Sequence, residues 1–287
     1  DGVDAEELYL DQNFFSELPE ELLRLKCLKR LSVYHNRLLH LPAWLFELVS
    51  LEAVNFSANK ITCLSNKIGN LRNLHTLDIQ HNALAELPEP VGELPNLKFL
   101  YLGGNRLEQL PDTVACLKRL LYLNITYNQF CEIPKCIGGL SSLLELRAYN
   151  NQITSLPADV SGWKQLKELH LMNNSLQYLP EELGDVVSLK KLVLENNKLI
   201  KLPESIGNLH QVTDLDLRSN QLSQIPSSIE GLRSLRFLDL RDNKLISLPD
   251  SIVELPNLEK LDVRLNKKLR LPSWLKELRK KGCLVYT

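Results

Sequence analysis

The chain has 287 residues, of which 44% are hydrophobic and 24% are charged, a balance typical of a folded protein rather than a disordered one. Its formal charge of −1 gives no overall field that would attract nucleic acid or an anionic membrane, so neither is an expected partner. No stretch approaches the run of about 18 apolar residues that a membrane-spanning helix requires.

One pattern recurs along the chain with a period of 23 residues. A clear copy reads LDLRDNKLISLP from Leu238 to Pro249, and its asparagine, Asn243, recurs at every step from Asn13 to Asn266. These positions define twelve 23-residue units, or repeats, without insertion or deletion. A fixed period of this length indicates a solenoid, in which each unit packs only on its neighbours. We therefore predict a single domain over residues 1–287.

Each unit carries three signals of local structure. Apolar residues alternate ahead of the asparagine, as at Leu238 and Leu240, which indicates a β-strand with one buried face. The asparagine is expected to be buried, with its amide bonded to the backbone of its own and the neighbouring turn. A proline follows in all units but the third, where Ser65 stands. It predicts a short 3₁₀ or helical turn on the opposite side of the unit.

The end of the chain departs from this pattern. Ser273 to Lys281 predicts a helix that is longer than the turns of the preceding units, and Gly282 is placed to end it. Leu284 to Tyr286 predicts one more strand, and no further asparagine-bearing turn follows it. We therefore predict a C-terminal cap over residues 273–287.

The middle units carry aromatic side chains at outward-facing strand positions, where the core does not need them. The set consists of Phe99, Tyr101, Tyr122, Tyr127 and Tyr149, with Arg147, His170 and Met172 beside it. Aromatic residues, Met and Arg are enriched in the hot spots of protein interfaces, so we predict that this set binds a partner. The alternative is that the tyrosines stack on one another across neighbouring strands and only stabilise the sheet.

The last three units carry charged side chains in columns. Asp216, Asp239 and Asp262 form one column, and Arg218, Arg241 and Arg264 form the next. We predict that the arginines belong to a docking strip that selects a partner by charge. A ladder of surface salt bridges that only satisfies itself would produce the same pattern.

The sequence contains no motif that carries chemistry. It has no phosphate-binding loop, dinucleotide fingerprint, zinc-protease helix, nucleophile elbow or kinase signature. Four histidines in units two to four, His35, His40, His75 and His81, do not have the spacing of metal ligands on one helix face. We therefore expect a protein that is not an enzyme and that has no catalytic residue, cofactor or metal site.

The six cysteines are spread along the chain without a CxxC pair or a cluster ahead of the first unit. This distribution favours reduced cysteines that serve as small apolar residues over disulfides or zinc ligands. No secretory leader is recognisable, so we expect a cytoplasmic protein.

The unit LxxLxLxxNxLxxLPxxIxxL and the phrase LPESIGNL from Leu202 to Leu209 resemble a known family. They are similar to the 23-residue intracellular leucine-rich repeats of the Ras-suppressor and Ras-pathway scaffold group, the LAP adaptors and the Roco proteins. The resemblance implies an α/β solenoid, a right-handed arc of about twelve repeats with a concave parallel β-sheet and short convex helical or 3₁₀ turns. It also implies a protein–protein interaction module or signalling scaffold, expected to be a monomer, that binds a protein partner through its concave face.

Two other functions remain open on the sequence. The chain could be the substrate-recognition arm of a multidomain enzyme, such as a ubiquitin ligase, kinase or GTPase, whose catalytic domain lies outside it. It could also be the ligand-binding ectodomain of a secreted or surface receptor. A longer reading frame would identify the first of these, and titration of free thiols would identify the second.

Overall fold

The computed structural model describes residues 4–287. The chain divides into two compact units. Unit 1 comprises the residues up to Phe130 together with Pro134–Leu143, and unit 2 comprises Cys131–Ile133 and Leu144–Thr287. The single domain over residues 1–287 stays a prediction, with residues 1–3 outside the described part, and the two units are described separately.

Unit 1 contains six parallel strands that pair in chain order, with a 3₁₀ turn after each. The strands are β1 (Glu7–Tyr9), β2 (Arg30–Ser32), β3 (Ala53–Asn55), β4 (Thr76–Asp78), β5 (Phe99–Tyr101) and β6 (Tyr122–Asn124). The turns are η1 (Glu20–Arg24), η2 (Ala43–Glu47), η3 (Asn66–Asn70), η4 (Glu89–Glu93), η5 (Asp112–Cys116) and η6 (Lys135–Gly139).

Unit 2 contains seven parallel strands, again paired in chain order. They are β7 (Glu145–Arg147), β8 (Glu168–His170), β9 (Lys191–Val193), β10 (Asp214–Asp216), β11 (Phe237–Asp239), β12 (Lys260–Asp262) and β13 (Leu284–Tyr286). Its other elements are η7 (Glu181–Asp185), η8 (Glu204–Asn208), η9 (Ser227–Gly231), η10 (Asp250–Glu254) and the helix α1 (Leu275–Lys280). The predicted α/β solenoid of parallel strands and short 3₁₀ turns is confirmed.

The strands form because their apolar residues can be buried only by stacking. The middle residue of each strand from β2 to β12 is buried, as Leu100 and Leu215 show, and so is the apolar residue that follows each of these strands, such as Leu102 and Leu217. Consecutive strands align at a step of 23 residues, so Leu215 pairs with Leu238. Because side chains alternate along a strand, the residues on either side of the middle one point away from the core.

The recurrent asparagine is buried in most of the 23-residue repeats, and it bonds to backbone groups of two turns. Asn220, which is 7% exposed, accepts a hydrogen bond from the backbone N–H of Leu199 at 3.0 Å. Its amide donates to the carbonyl oxygens of Leu194 at 2.9 Å and Leu217 at 3.0 Å. The predicted structural ladder of amides is therefore present, and within each compact unit the buried amides link neighbouring 23-residue repeats.

The proline lies one residue ahead of the 3₁₀ turn and is not its first residue. Pro249 lies ahead of η10 in an extended conformation, and its carbonyl oxygen accepts the bond from the N–H of Ile252 at 3.2 Å. Proline suits this position because its own missing N–H is not needed there. Ser65 replaces proline ahead of η3, and its hydroxyl oxygen accepts a bond from the N–H of Lys67 at 3.2 Å.

No 3₁₀ turn follows Pro157 in the described part of the chain. After Pro157, the side chain of Asp159 accepts a hydrogen bond from the N–H of Ser161 at 3.0 Å. A local bond of this kind competes with a helical turn. Trp163 is fully buried, and it occupies the position that leucine or valine takes in the other 23-residue repeats.

Near the end of unit 2, where the sequence predicts a cap over residues 273–287, the helix α1 spans Leu275–Lys280. The cap over this range stays a prediction. The helix α1 buries Leu275 and Leu278, and Gly282 follows it with a φ of 92°. Strand β13 then pairs with β12. Within residues 4–287, no helix has the length and apolar character that a bilayer crossing would need.

Candidate functional site

The outward-pointing side chains of the strands form a surface on each unit, here named the strand face. In unit 1 the predicted residues Phe99, Tyr101 and Tyr122 lie on it and are half-buried. The rings of Tyr101 and Tyr122 lie 4.9 Å apart with an interplanar angle of 39°. This contact across neighbouring strands is the one that a purely sheet-stabilising role predicts.

Tyr127 differs from the other aromatic residues of unit 1. It follows β6 in the turn, with a φ of 51°, rather than lying on the strand. Its side chain is 57% exposed, so it offers more free surface than Tyr101 or Tyr122.

In unit 2 the strand face holds a cavity of about 460 Å³. Five of the predicted partner-binding residues line it, namely Arg147, Tyr149, His170, Met172 and Arg218. The sequence placed the first four in an aromatic patch and Arg218 in a separate charged strip. The structure brings them into one surface because the same outward positions recur on β7 to β10. Arg241 and Arg264 are not among the residues that line the cavity.

The rest of the cavity combines apolar and charged groups. Val193, Leu215, Phe237 and Leu238 supply apolar surface, and Lys191, Glu195, Asp214, Asp216, Asp239 and Lys260 supply charge. Phe237 is 37% exposed, which leaves much of its ring uncovered in the unbound chain. Such a mixture favours a ligand that buries an apolar group and matches charges around it.

His170 is more enclosed than the sequence predicts. It was placed at the surface beside the aromatic residues, yet it is only 7% exposed. Its Nε2 lies 2.9 Å from Oε2 of Glu168 and 3.9 Å from Oε1 of Glu145. Arg147 also contacts Glu145, with its Nε at 2.5 Å from Oε1. These carboxylates hold both side chains in place at one end of the cavity.

The arginines of the charged columns bind the acids beside them. Arg218 lies 2.5 Å from Glu195 and 3.2 Å from Asp216. Arg241 follows the same pattern, at 2.6 Å from Asp239. The pairing is what a self-satisfied ladder predicts, and the docking role of these arginines stays a prediction.

Asp262 is the most enclosed carboxylate of the columns. Its side chain has no exposed surface, and it contacts Arg264 at 2.6 Å and Arg241 at 3.4 Å. Burial acts to raise the pKa of this carboxyl, but the hydrogen bonds and charge of Arg264, together with the charge of Arg241, hold it below its usual value.

Asp216 lies inside the cavity and behaves differently. Burial raises the pKa of its carboxyl to about 6, and the N–H and charge of Arg218 oppose this only in part. The nearby charges of Asp239 and Glu195 add to the rise in pKa. The charge of the cavity therefore changes between about pH 5 and pH 7.

A further group of possible ligands was missed by sequence reasoning. Glu145, Glu168 and His170 place one ligand atom each within 4.8 Å of one another. The signal was present, since Glu145 and Glu168 lie one 23-residue period apart and therefore pair on neighbouring strands. These ligands lie in columns across the sheet and not at the spacing of ligands on one helix face.

Two family models match the chain in sequence. The model described as leucine-rich repeat region matches residues 173–280, and the model described as leucine rich repeat matches residues 27–84, 72–130 and 95–153. No curated protein sequence gives a significant match.

Solved structures with a similar fold include proteins of bacteria and plants. A leucine-rich repeat protein of Leptospira interrogans is 24% identical, aligns over 99% of this chain and 96% of its own, and has a TM-score of 0.58. The ectodomain of the Arabidopsis thaliana membrane receptor kinase GASSHO1/SCHENGEN3, in complex with Casparian strip integrity factor 2, is 29% identical over 98% of this chain, with a TM-score of 0.80.

A plant peptide hormone receptor, RGFR1, solved in complex with RGF2, is 30% identical over 89% of this chain, with a TM-score of 0.72. The chain spans 47% of that receptor structure and 36% of the Arabidopsis ectodomain, so it is similar to less than half of either.

Proposed function

Because the chain belongs to the leucine-rich repeat superfamily, we propose that it is a protein–protein interaction module that binds a protein partner through its strand face. The observation that carries the proposal is the cavity of unit 2. Arg147, Tyr149 and Met172 line it, and none of them is needed to fill the apolar core. Interface hot spots are built from these residue types, in pockets that a partner can close to water.

The aromatic residues of unit 1 are a second part of the proposed surface. Of the predicted set in this unit, Tyr127 is the most exposed, and Phe99, Tyr101 and Tyr122 present half-buried rings. We propose that unit 1 and unit 2 each contact the partner, so substitutions in either unit would weaken partner binding.

Affinity capture with matched variants tests this proposal. The variant Tyr149→Ala plus Met172→Ala removes two side chains that line the cavity. The control Tyr178→Ala removes a side chain that is 52% exposed but lies outside the strands and the cavity. We expect a partner that the wild-type chain and the control both retain, and that the cavity variant loses. Equal capture by the cavity variant, or loss in the control alone, would place binding elsewhere.

We further propose that the protein acts as a cytoplasmic scaffold in signalling, as its resemblance to intracellular repeats suggests. All six cysteines are reduced in the structure, and four of them are exposed, which suits a reducing compartment.

A receptor ectodomain is the second candidate function. It is favoured by the similarity to the two plant receptor structures, each solved in complex with a named ligand. In this case the strand face would bind a secreted ligand, and cysteines would be expected to pair as disulfides in the oxidising environment outside the cell. A native disulfide, found by mass spectrometry of the unreduced protein, would favour this second function over the first.

A further inference from the structure

Two glutamates face each other on the strand face of unit 2. Glu145 of β7 pairs with Glu168 of β8, and the next outward positions, Arg147 and His170, pair in the same way. Like charges at directly opposed strand positions repel unless a cation lies between them. The arrangement therefore leaves a place where positive charge is favoured.

The side chain of His170 completes this place. It is 9% exposed, and its Nε2 lies 2.9 Å from a carboxylate oxygen of Glu168 and 3.9 Å from one of Glu145. The three possible ligand atoms lie within 4.8 Å of one another, so small side-chain movements would bring all three to a single ion.

We propose that Glu145, Glu168 and His170 form a binding site for a divalent cation of the zinc type. One imidazole nitrogen and two carboxylate oxygens are a ligand set that Zn²⁺ accepts, whereas Ca²⁺ and Mg²⁺ prefer oxygen ligands alone. Three protein ligands leave a coordination position for water or for a group from a partner. His170 also lines the cavity, so that position can open toward it.

Arg147 competes with the metal ion for one of the ligands. Its Nε lies 2.5 Å from Oε1 of Glu145, the same oxygen that lies nearest to His170. The guanidinium therefore supplies part of the charge that Zn²⁺ would supply, and the ion must displace it. Removal of the arginine charge should consequently strengthen metal binding.

Isothermal titration with ZnCl₂ tests the site in the full, untagged chain. The exposed thiols of Cys27, Cys63, Cys116 and Cys131 bind zinc themselves, so all reactive thiols are first alkylated. We expect one zinc site, with affinity at least about tenfold weaker in Glu168→Gln and in His170→Ala. The control His210→Ala, an exposed histidine whose Nδ1 lies 2.7 Å from the carbonyl oxygen of Gly231, should bind as the wild type does.

Arg147→Met should bind zinc more tightly than the wild type, by about tenfold, because the competing charge is gone. Co²⁺ provides an independent readout, since its visible absorption should appear in the wild type and be lost in Glu168→Gln. Glu168→Gln keeps the side-chain volume and decides the matter if His170→Ala fails to fold. Absence of zinc binding, undiminished binding in Glu168→Gln, or binding by Arg147→Met that is no tighter than wild type would overturn the proposal.

Discussion

At the scale of single residues, the recurrent asparagine contributes most clearly to stability. Asn128 is 8% exposed, accepts a bond from the N–H of Leu107 at 2.9 Å and donates to the carbonyl oxygen of Leu102 at 3.0 Å. Asn128→Ala would remove the acceptor of the buried N–H of Leu107, whereas the carbonyl oxygen of Leu102 would keep its bond from the amide of Asn105. We expect the free energy of unfolding, measured by urea denaturation, to fall by about 1–3 kcal/mol.

The asparagine of the first 23-residue repeat, Asn13, provides a matched control for this variant. Asn13 is exposed, and its amide donates only to the nearby carbonyl oxygens of Leu10 and Asp11. We expect Asn13→Ala to change the free energy of unfolding by no more than about 0.5 kcal/mol. Similar losses for Asn13→Ala and Asn128→Ala would contradict a role for burial of the amide.

The raised pKa of Asp216 predicts a specific dependence of stability on pH. Burial lifts this pKa to about 6, above its value in the unfolded chain, so the folded state holds the proton more tightly. The carboxyl therefore favours folding when it is protonated, and this contribution is lost as the pH rises from about 4 to about 6.

Asp216→Asn removes the titration, so the comparison is made between two pH values. We expect the stability of the wild type relative to this variant to fall by about 1–2 kcal/mol between pH 4.5 and pH 7.5. Effects of the substitution that do not depend on pH cancel when the two pH values are compared. A constant difference in stability across this range would show that the Asp216 pKa is not raised.

At the scale of elements, the 3₁₀ turns pack by close contact of their backbones. A Cβ atom added at Gly92 in η4 would lie 2.3 Å from the carbonyl oxygen of Thr113 in η5. Gly92→Ala must therefore push the two turns apart. We expect a loss of about 1–3 kcal/mol in the free energy of unfolding, as for other overpacked sites.

Gly139 in η6 is the control for this contact. A Cβ atom there would meet the side chain of Ala115 at 3.2 Å, a tight contact with a side chain and not with backbone. We expect Gly139→Ala to lower the free energy of unfolding, measured by urea denaturation, by less than Gly92→Ala does. The reverse order would show that the contact between η4 and η5 does not limit the packing.

The sequence period predicts most of these elements because each one follows from a local pattern. Alternation predicted the strands, and proline predicted the turns that follow. The missing turn after Pro157 was not predicted, because Pro157 itself fits the period. In the structure the N–H of Ser161 donates to the side chain of Asp159 where the turn would lie. Departures of this kind depend on one side chain and leave the period unchanged.

At the scale of the whole molecule, the core was easier to predict than the surface. Core positions recur in every 23-residue repeat, whereas the cavity of unit 2 arises from outward residues on successive strands. Arg147 and Arg218 lie three 23-residue repeats apart in sequence, yet both line this cavity. The 23-residue columns held the information, but which of their members form one cavity depends on side-chain packing and exposure.

The state of the six cysteines distinguishes the two candidate functions. Cys27, Cys63, Cys116 and Cys131 are exposed, whereas Cys136 and Cys283 are buried. Burial raises the pKa of Cys136 to about 11, which lowers its reactivity further. We expect four thiols to react rapidly with a thiol reagent in the native protein, and six after denaturation without reductant. Fewer than six would indicate a disulfide and favour the receptor ectodomain.

The most direct test of the central claim is site-specific photocrosslinking to the captured partner. A photoreactive amino acid is introduced at Tyr149, inside the cavity of the strand face, and in a separate variant at Tyr178, outside it. We predict that the partner crosslinks at position 149 and not at position 178. A crosslink at position 178 with none at position 149 would contradict binding through the strand face.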